Sequence, residues 1–457
     1  MEAFTAMHSG KTGLLLVSVC ALVLAYKFWR HVHHPLYKFP GPRLAAWTNL
    51  PYSYWFLTGR QPFVMLALHE KYGPVVRTSP NELSFNTAAS WKDIYGHRPG
   101  HGTFTKSDFY DGASFVDRAR SVINTKDPAE HGRMRRYLSH AFSERALRGQ
   151  EQLIAEVVDL FIVKLGDYGK SENGTDLHRW LNMMAFDLTG SLAFGESFDA
   201  LQNGGAHPSV EFILKAVRHI ARLEKPTERP DFLNRILENG DEEEISDVQL
   251  AAHASGLLTA GSDTTSTTLS TVFYYLMQHP DWMRKVQHES RTMFDSYEDI
   301  TALSTQDMPI AKAVCLEAFR LYPPVPLGLS RVVPPGGDTV DGHFVPGGTV
   351  VSTNPLAACW SPSNFKNPRD FCPERWLEDW AGDAFEASQP FSLGLRGCVG
   401  KNLAWIQINT VIAKVTYKYD LEWINRDMNW HRDSRMYTLW EKPSLMVRVK
   451  ARAGKVD

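Results

Sequence analysis

The sequence lacks the features by which several classes of protein are recognised. Its 457 residues carry 49 basic and 51 acidic side chains, and the net charge of -2 gives no overall field to attract nucleic acid. No internal repeat or low-complexity tract is present. The five cysteines are odd in number and form no CxxC pair. The sequence therefore predicts no nucleic-acid partner, no disulfide framework and no structural zinc site.

Long apolar runs are also scarce, and the longest, Gly13 to Tyr26, is short for a membrane-spanning helix. A cleaved signal peptide is the alternative, but no small-x-small cleavage site follows the run. The flank from Lys27 to His31 is bulky and carries more positive charge than Lys11 before the run. By the positive-inside tendency we expect residues 1–30 to be a retained anchor, with the following chain on the cytosolic side.

The remaining chain divides into a short stiff segment and a large helical region. Prolines between His34 and Pro42 predict a proline-rich hinge over residues 31–44. Residues 45–457 form the main domain, with helical periodicity from about Pro62 to Pro309. Strand-like stretches are few, at residues 73–85, 340–353 and 437–449. We therefore expect a mainly α fold with a small β portion.

One predicted helix is unusually long and polar at its centre. It begins at a capping box formed by Ser246 and Gln249 and continues until Pro280, roughly 48 Å at 1.5 Å per residue. Its middle, Thr259 to Thr268, is rich in hydroxyl side chains, which compete for backbone hydrogen bonds. A Ser/Thr-rich packing seam is the structural interpretation. Departures from helix preference also tend to lie at functional sites.

A glycine-rich loop surrounds Cys398 near the C-terminus. Gly394, Gly397 and Gly400 allow sharp turns and close approach to a flat ligand, and an apolar run after Asn402 predicts a helix start. A helix N-terminus stabilises a thiolate, so we expect a lowered pKa for Cys398. A buried unreactive cysteine is the alternative interpretation.

The segment Phe391 to Gly400 resembles the haem-binding loop of the cytochrome P-450 family, FxxGxRxCxG, at every fixed position. The resemblance implies that Cys398 is the axial ligand of the iron of haem b, that Arg396 pairs with a haem propionate and that Phe391 packs near the sulfur. Gly394 and Gly400 are the fixed glycines of this cofactor-binding loop. The family fold is a helix-rich prism around the haem, after an N-terminal transmembrane anchor.

Two further motifs extend the resemblance. Glu317 and Arg320 lie three residues apart in a predicted helix and resemble the ExxR motif, with Arg375 where the family places the third member of a buried network. The resemblance implies a structural role for these three. An exposed ion pair is the alternative for an isolated ExxR. Residues 260–265 resemble the oxygen-binding signature, which implies that Asp263 and Thr264 are the acid and alcohol that deliver protons to bound oxygen.

Three more side chains are implied to contact the haem. Arg135 and Arg331 stand where the family holds propionates with guanidinium groups. His131 stands where many members carry tryptophan, and it could equally be a surface residue.

The resemblance implies a monooxygenase that inserts one oxygen atom from O2 into a lipophilic small molecule, with electrons from NADPH through a partner reductase. Residues 139–147 and 228–232 resemble filamentous-fungal members of secondary metabolism. We expect a single-pass protein of the endoplasmic reticulum membrane with the haem domain on the cytosolic side.

Two alternatives remain open. A haem-thiolate isomerase or dehydratase would need no reductase, and Asp263 and Thr264 argue against it because that chemistry needs no proton relay. A catalytically impaired haem-binding variant is the other alternative. It follows from the chain being shortened around residues 212–228, where the family carries two helices and a loop over the distal pocket.

Overall fold

The computed structural model describes residues 32–113, 119–195, 197–204, 247–377 and 380–452, with a few positions between 18 and 29. Most of the predicted anchor, the shortened segment around 212–228 and the capping residue Ser246 lie outside them. No helix within these ranges combines the length and the apolarity needed to span a bilayer.

The described residues form helices around a long central helix, with four small sheets at the periphery. The helices are α1 Leu50–Leu57, α2 Gln61–Tyr72, α3 Ala88–Tyr95, α4 Pro128–Ala141, α5 Glu144–Arg148, α6 Glu151–Gly169, α7 Leu177–Phe194, α8 Ala200–Asn203, α9 Asp247–Gln278, α10 Pro280–Met293, α11 Pro309–Leu321, α12 Pro355–Cys359, α13 Lys401–Lys418 and α14 Trp430–Asp433. The strands are β1 Val75–Ser79, β2 Glu82–Phe85, β3 Thr105–Lys106, β4 Thr175–Asp176, β5 Arg331–Val332, β6 Asp338–Val340, β7 His343–Val345, β8 Val350–Thr353, β9 Tyr419–Trp423, β10 Arg435–Tyr437, β11 Leu439–Glu441 and β12 Met446–Ala451.

The largest sheet has the strand order β1-β2-β8-β5-β3. β1 and β2 form an antiparallel pair, β2 runs parallel to β8, and β8 pairs antiparallel with β5. At its edge β3 pairs with β5, with Lys106 directly opposite Arg331. The mainly α fold with a small β portion is confirmed, and strands occur in all three stretches where they were predicted.

The predicted long helix is confirmed as α9, which has 32 residues and ends before Pro280. Side chains of its C-terminal half, such as Leu269, Val272 and Phe273, are fully buried in the main core. Its hydroxyl side chains are accommodated because they donate to the carbonyl four residues earlier: Thr264 to Ala260, Thr268 to Thr264, Ser270 to Ser266 and Thr271 to Thr267, at 2.6 to 2.8 Å. A polar seam can therefore cross the core without leaving these hydroxyl groups unpaired.

The packed domain begins earlier than the predicted boundary at residue 45. Leu36 and Phe39 are buried in a second core cluster, together with side chains of β1 and β2. The backbone N–H of Arg77 donates to the carbonyl of Pro40 at 2.7 Å. The proline-rich segment is therefore partly built into the domain, because its apolar side chains find a core to fill.

Candidate functional site

Cys398 lies in a loop between a 3-10 turn, Gly394–Arg396, and the start of α13 at Lys401. Its backbone N–H donates to the carbonyl of Phe391 at 2.8 Å. Gly394 adopts a φ of +67°, and a Cβ at this position would collide with the carbonyl oxygen of Tyr95. Glycine is thus required here both by the left-handed backbone and by the approach to α3.

The thiol of Cys398 is subject to opposing electrostatic effects. Burial raises its pKa, whereas the backbone N–H of Gly400 and the charges of Arg135 and Lys401 lower it. The net pKa is raised, so the expectation of a lowered pKa for Cys398 is wrong. Desolvation disfavours the thiolate more than these groups favour it.

Cys398 opens onto a cavity between its loop and α9. The loop contributes Cys398, Val399 and Gly400, while α9 contributes Ala260, Gly261, Thr264, Thr265 and Thr268. Most of the other lining side chains are apolar, among them Phe142, Leu257, Phe319, Val325 and Leu403. Phe391 also lines the cavity, and its ring packs against that of Phe319 at a centroid distance of 5.4 Å.

Three basic side chains converge beside this cavity. Arg396 lines it, and burial together with the charge of Arg331 lowers the pKa of Arg396 to about 10. Burial and the charges of Arg396 and Arg331 lower the pKa of Lys106 to about 6. Lys106 and Arg331 also face each other across β3 and β5, where like charges are destabilising. The arrangement is unfavourable unless an anion joins it.

Neutral groups are the observed partners of these three side chains. Arg396 donates to the carbonyls of Thr125 and Lys126, Lys106 to those of Val122 and Ile123, and Arg331 to the hydroxyl of Tyr110 and two carbonyls. None of the three forms an ion pair with a carboxylate of the described ranges. Lys106 was not predicted, because a single lysine in a two-residue strand carries no recognisable pattern.

Helix α4 brings the remaining predicted haem contacts to the site. Arg135 donates a hydrogen bond to the carbonyl of Gly397, next to Cys398. His131 is buried, so the surface alternative is wrong. Burial, followed by the charges of Arg396 and its neighbours, lowers the pKa of His131 to about 3. His131 is therefore neutral near pH 7 and can contribute a hydrogen bond but no charge.

These features fit a flat, dianionic metal complex such as haem. Cys398 would bind the iron from the loop, and the basic side chains of Arg396, Arg331 and Lys106, none of which pairs with a carboxylate in the described ranges, suit two propionates. The glycines of the loop and the apolar walls suit the face of a macrocycle.

The predicted buried network is confirmed beneath the site. Arg320 and Glu317 on α11 pair directly, and Arg375 Nε contacts Glu317 Oε1 at 3.3 Å. The sequence did not reveal two further members: Trp376, whose ring N–H donates to Glu317 at 2.9 Å, and Asp383, which pairs with Arg375. The exposed-pair alternative is wrong, since the side chains of the predicted trio are fully buried.

The structure separates the predicted acid and alcohol of α9. Thr264 lines the cavity, whereas Asp263 is not among the described side chains that do so. Asp263 instead pairs with Lys442 at 2.9 Å. Proton delivery by either residue stays a prediction.

Comparison with known proteins gives consistent matches. The family model described as Cytochrome P450 matches residues 40–226 and 206–449. The chain is 47% identical to "Cytochrome P450 monooxygenase ORF11" of Penicillium roqueforti, over 92% of this chain and 96% of that protein. It is 37% identical to "Cytochrome P450 monooxygenase BipB" of Cochliobolus sativus, with 94% and 96% coverage. It is 36% identical to "Trichothecene C-4 hydroxylase" of Trichoderma arundinaceum, with 96% and 97% coverage.

A solved structure supports the fold. The haem domain of a cytochrome P450DA mutant superposes with a TM-score of 0.74, covering 91% of this chain and 97% of that one at 16% identity. At this identity the match shows the fold alone. The resemblance to filamentous-fungal members is confirmed by the sequence relatives. The two matched stretches of the family model meet near the segment predicted to be shortened.

Proposed function

This chain belongs to the cytochrome P450 family, and from that premise we propose that it inserts one oxygen atom from O2 into a lipophilic small molecule of fungal secondary metabolism. The observation that carries the proposal is the largely apolar cavity between Cys398 and Thr264, with three basic side chains beside it that pair with no carboxylate in the described part of the chain. The relatives named as monooxygenases, and one named as a hydroxylase, support it.

Haem, when bound, supplies the redox chemistry by which dioxygen is activated at a thiolate-ligated iron. Cys398 would bind the iron, and Arg396, Arg331 and Lys106 would hold the carboxylates of the macrocycle. Apolar walls exclude water and accept a lipophilic substrate. The Thr264 hydroxyl, which now donates to the Ala260 carbonyl at 2.6 Å, lies on the cavity wall where a proton is needed.

The proposal includes a reductase that draws electrons from NADPH. Arg133 and Arg136 are exposed on α4, the helix whose Arg135 contacts the loop of Cys398, and Lys401 is exposed at the start of α13. Such a set of exposed cations suits an acidic partner surface and speeds the encounter with it. These positions are close in the chain to the residues that would hold the haem.

We further propose that residues 1–30 anchor the protein in the endoplasmic reticulum membrane, with the haem domain on the cytosolic side. Support comes from the apolar run and its basic flank. We also propose that the chain is shortened around residues 212–228, where the family carries two helices and a loop over the distal pocket. An impaired haem-binding variant is the second candidate, favoured by the division of the family-model match into two stretches that overlap at residues 206–226.

The carbon monoxide difference spectrum of the reduced protein tests the ligand. We expect a Soret band at the position typical of thiolate ligation, which is lost in Cys398→Ser. Cys359→Ser is the matched control, because Cys359 also lines the cavity. A band at an imidazole-type position, or one unchanged in Cys398→Ser, would overturn the assignment.

Turnover in reductase-containing membranes separates the candidate functions. NADPH consumption with an oxygenated product supports the monooxygenase. Product formation without NADPH indicates an isomerase or dehydratase, and a normal carbon monoxide spectrum without any product indicates the impaired variant.

A further inference from the structure

A lysine from the C-terminal part of the chain reaches the middle of α9. Lys442, in the loop between β11 and β12, donates from Nζ to Asp263 Oδ1 at 2.9 Å and to Thr267 Oγ1 at 2.8 Å. Its side chain is only 2% exposed. The contact joins residues 179 positions apart in the chain, so it fixes the position of the loop relative to the helix.

The two oxygens of the Asp263 carboxylate have different surroundings. Oδ1 accepts from Lys442, whereas Oδ2 is buried and has no hydrogen-bond partner among the described residues. A buried carboxylate oxygen without a partner is costly, and such an oxygen in a native fold calls for an explanation such as a functional role or a water molecule. One oxygen is therefore committed to the lysine, and the other has no partner among the described residues.

Helix geometry relates this carboxylate to the cavity. Successive residues of an α-helix point about 100° apart, so Asp263 and Thr264 lie on neighbouring faces. Thr264 and Thr268, four residues apart, both line the cavity. Asp263 and Thr267 share the adjacent face, where both contact Lys442. The Asp263 carboxylate thus lies beside the cavity wall. Lys442, which is not among the lining residues, holds it there.

The positive charge of Lys442 balances the negative charge of Asp263. Two other titratable groups face it: Tyr322, whose pKa is raised well above 10 by burial and further by the charge of Asp263, and His178, whose pKa is lowered to about 3 by burial and by Lys442. Both are neutral near pH 7. Burial lowers the pKa of Lys442, whereas Asp263 raises it.

We propose that Lys442 is a positioning residue for proton delivery: its ammonium group fixes the Asp263 carboxylate so that Oδ2 exchanges protons toward Thr264. The inference rests on the proposed oxygenation. In each transfer the Thr264 hydroxyl would release its proton toward the cavity and take one back from Oδ2, and a hydronium ion of the solvent would reprotonate Oδ2 and leave neutral water. NADPH supplies the electrons. Lys442 keeps its own proton throughout.

The test uses the full chain in reductase-containing membranes with Lys442→Met, Lys442→Arg and Asp263→Asn. Lys414→Met is the matched control, because Lys414 is also buried and pairs with a carboxylate, Asp159, at 2.5 Å. Three readouts are taken: the carbon monoxide spectrum, the thermal midpoint of the ferric protein, and NADPH oxidation in H2O and in D2O.

We expect Lys442→Met to keep the thiolate-type spectrum and to slow NADPH oxidation about ten-fold, which is less than the roughly 10²–10⁴ that a proton-transfer group itself contributes, because Lys442 only positions that group. The solvent isotope effect should rise, and Lys442→Arg should restore most of both values. Combining Lys442→Met with Asp263→Asn should lower the thermal midpoint by less than the sum of the single changes, since the two groups interact. Lys414→Met should lower the midpoint without changing the isotope effect.

Two results would overturn the inference, and they differ in what else they affect. If Lys442→Met lowers the midpoint but leaves the isotope effect unchanged while Asp263→Asn raises it, the lysine is only structural and the proposed oxygenation stands. If Asp263→Asn also leaves rate and isotope effect unchanged, proton delivery by Asp263 fails as well. A missing thiolate-type spectrum in the unsubstituted protein would instead overturn the proposed function.

Discussion

Arg320 donates one hydrogen bond to each carboxylate oxygen of Glu317, at 2.7 and 2.9 Å, and neither side chain is exposed to solvent. Their spacing of three residues on α11 brings the two groups onto one face of the helix. The neighbouring Phe319 ring packs against Phe391 of the loop that carries Cys398. The pair is thus a rigid support beneath the site.

Glu317→Gln should therefore be strongly destabilising. The change leaves the guanidinium groups of Arg320 and Arg375 buried with less countercharge, which costs about 3–5 kcal/mol for a buried pair. Urea unfolding of the haem-loaded protein measures it. Asp281→Asn is the control, since Asp281 and Arg284 form an exposed pair at the same spacing. Equal shifts in the two variants would contradict the structural role.

Thr264→Ala should uncouple electron use from product formation. The hydroxyl on the cavity wall is lost, so reduced oxygen leaves as hydrogen peroxide in a several-fold larger share of turnovers. Peroxide formed per NADPH consumed is the measurement. Thr271→Ala removes the same type of hydroxyl-to-carbonyl bond from a buried position of α9, and it should leave this ratio unchanged. An unchanged ratio in Thr264→Ala would argue against the alcohol role.

Gly394→Ala should impair haem retention. The left-handed backbone strains any other residue, and the new Cβ would collide with the Tyr95 carbonyl oxygen. The haem-to-protein ratio after purification measures the effect. Gly132→Ala on α4 meets open space and should be neutral or stabilising by about 0.5–1 kcal/mol. Equal haem retention in the two variants would show that the loop tolerates a side chain at position 394, against what its geometry indicates.

Buried histidines should make the fold sensitive to mild acid. Burial lowers the pKa of His69 to about 4, while its ring contacts the Gly73 carbonyl and the Ser84 hydroxyl. Between pH 6.5 and 4 the unfolded chain binds a proton that the folded chain does not. The free energy of unfolding therefore falls as the pH decreases through this range, by up to about 3 kcal/mol from this residue.

The urea midpoint measured from pH 7.5 to pH 4.5 tests this prediction. His69→Gln should flatten the dependence, whereas a substitution of the exposed His140 should not change it. A dependence as steep in His69→Gln as in the unsubstituted protein would assign the effect to other groups, such as the buried His253 and His431.

Local motifs explain which parts of the site the sequence could predict. The loop around Cys398 and the pair Glu317 and Arg320 are defined by residues close in the chain, so spacing alone identified them. Lys106 and Lys442 act through partners far away in the chain, and a single lysine has no pattern to recognise. The motif likewise identified Asp263 without revealing which way its carboxylate points.

Burial was harder to predict than secondary structure. Prolines near residue 40 describe a stiff backbone but not its surroundings, so the packing of Leu36 and Phe39 was missed. For Cys398 the helix start contributes as expected, yet desolvation decides the sign of the shift. Both outcomes depend on what other segments place around a residue.

The cluster of Lys106, Arg331 and Arg396 has a consequence for the life of the protein in the cell. Burial and mutual repulsion disfavour the charged forms of these side chains in the fold without its ligand, and binding of a dianionic ligand then stabilises the fold by mass action. Chains that wait longer for the ligand spend more time partly open to proteases and chaperones. The steady-state abundance of this protein should therefore follow the supply of haem as well as the expression of its gene.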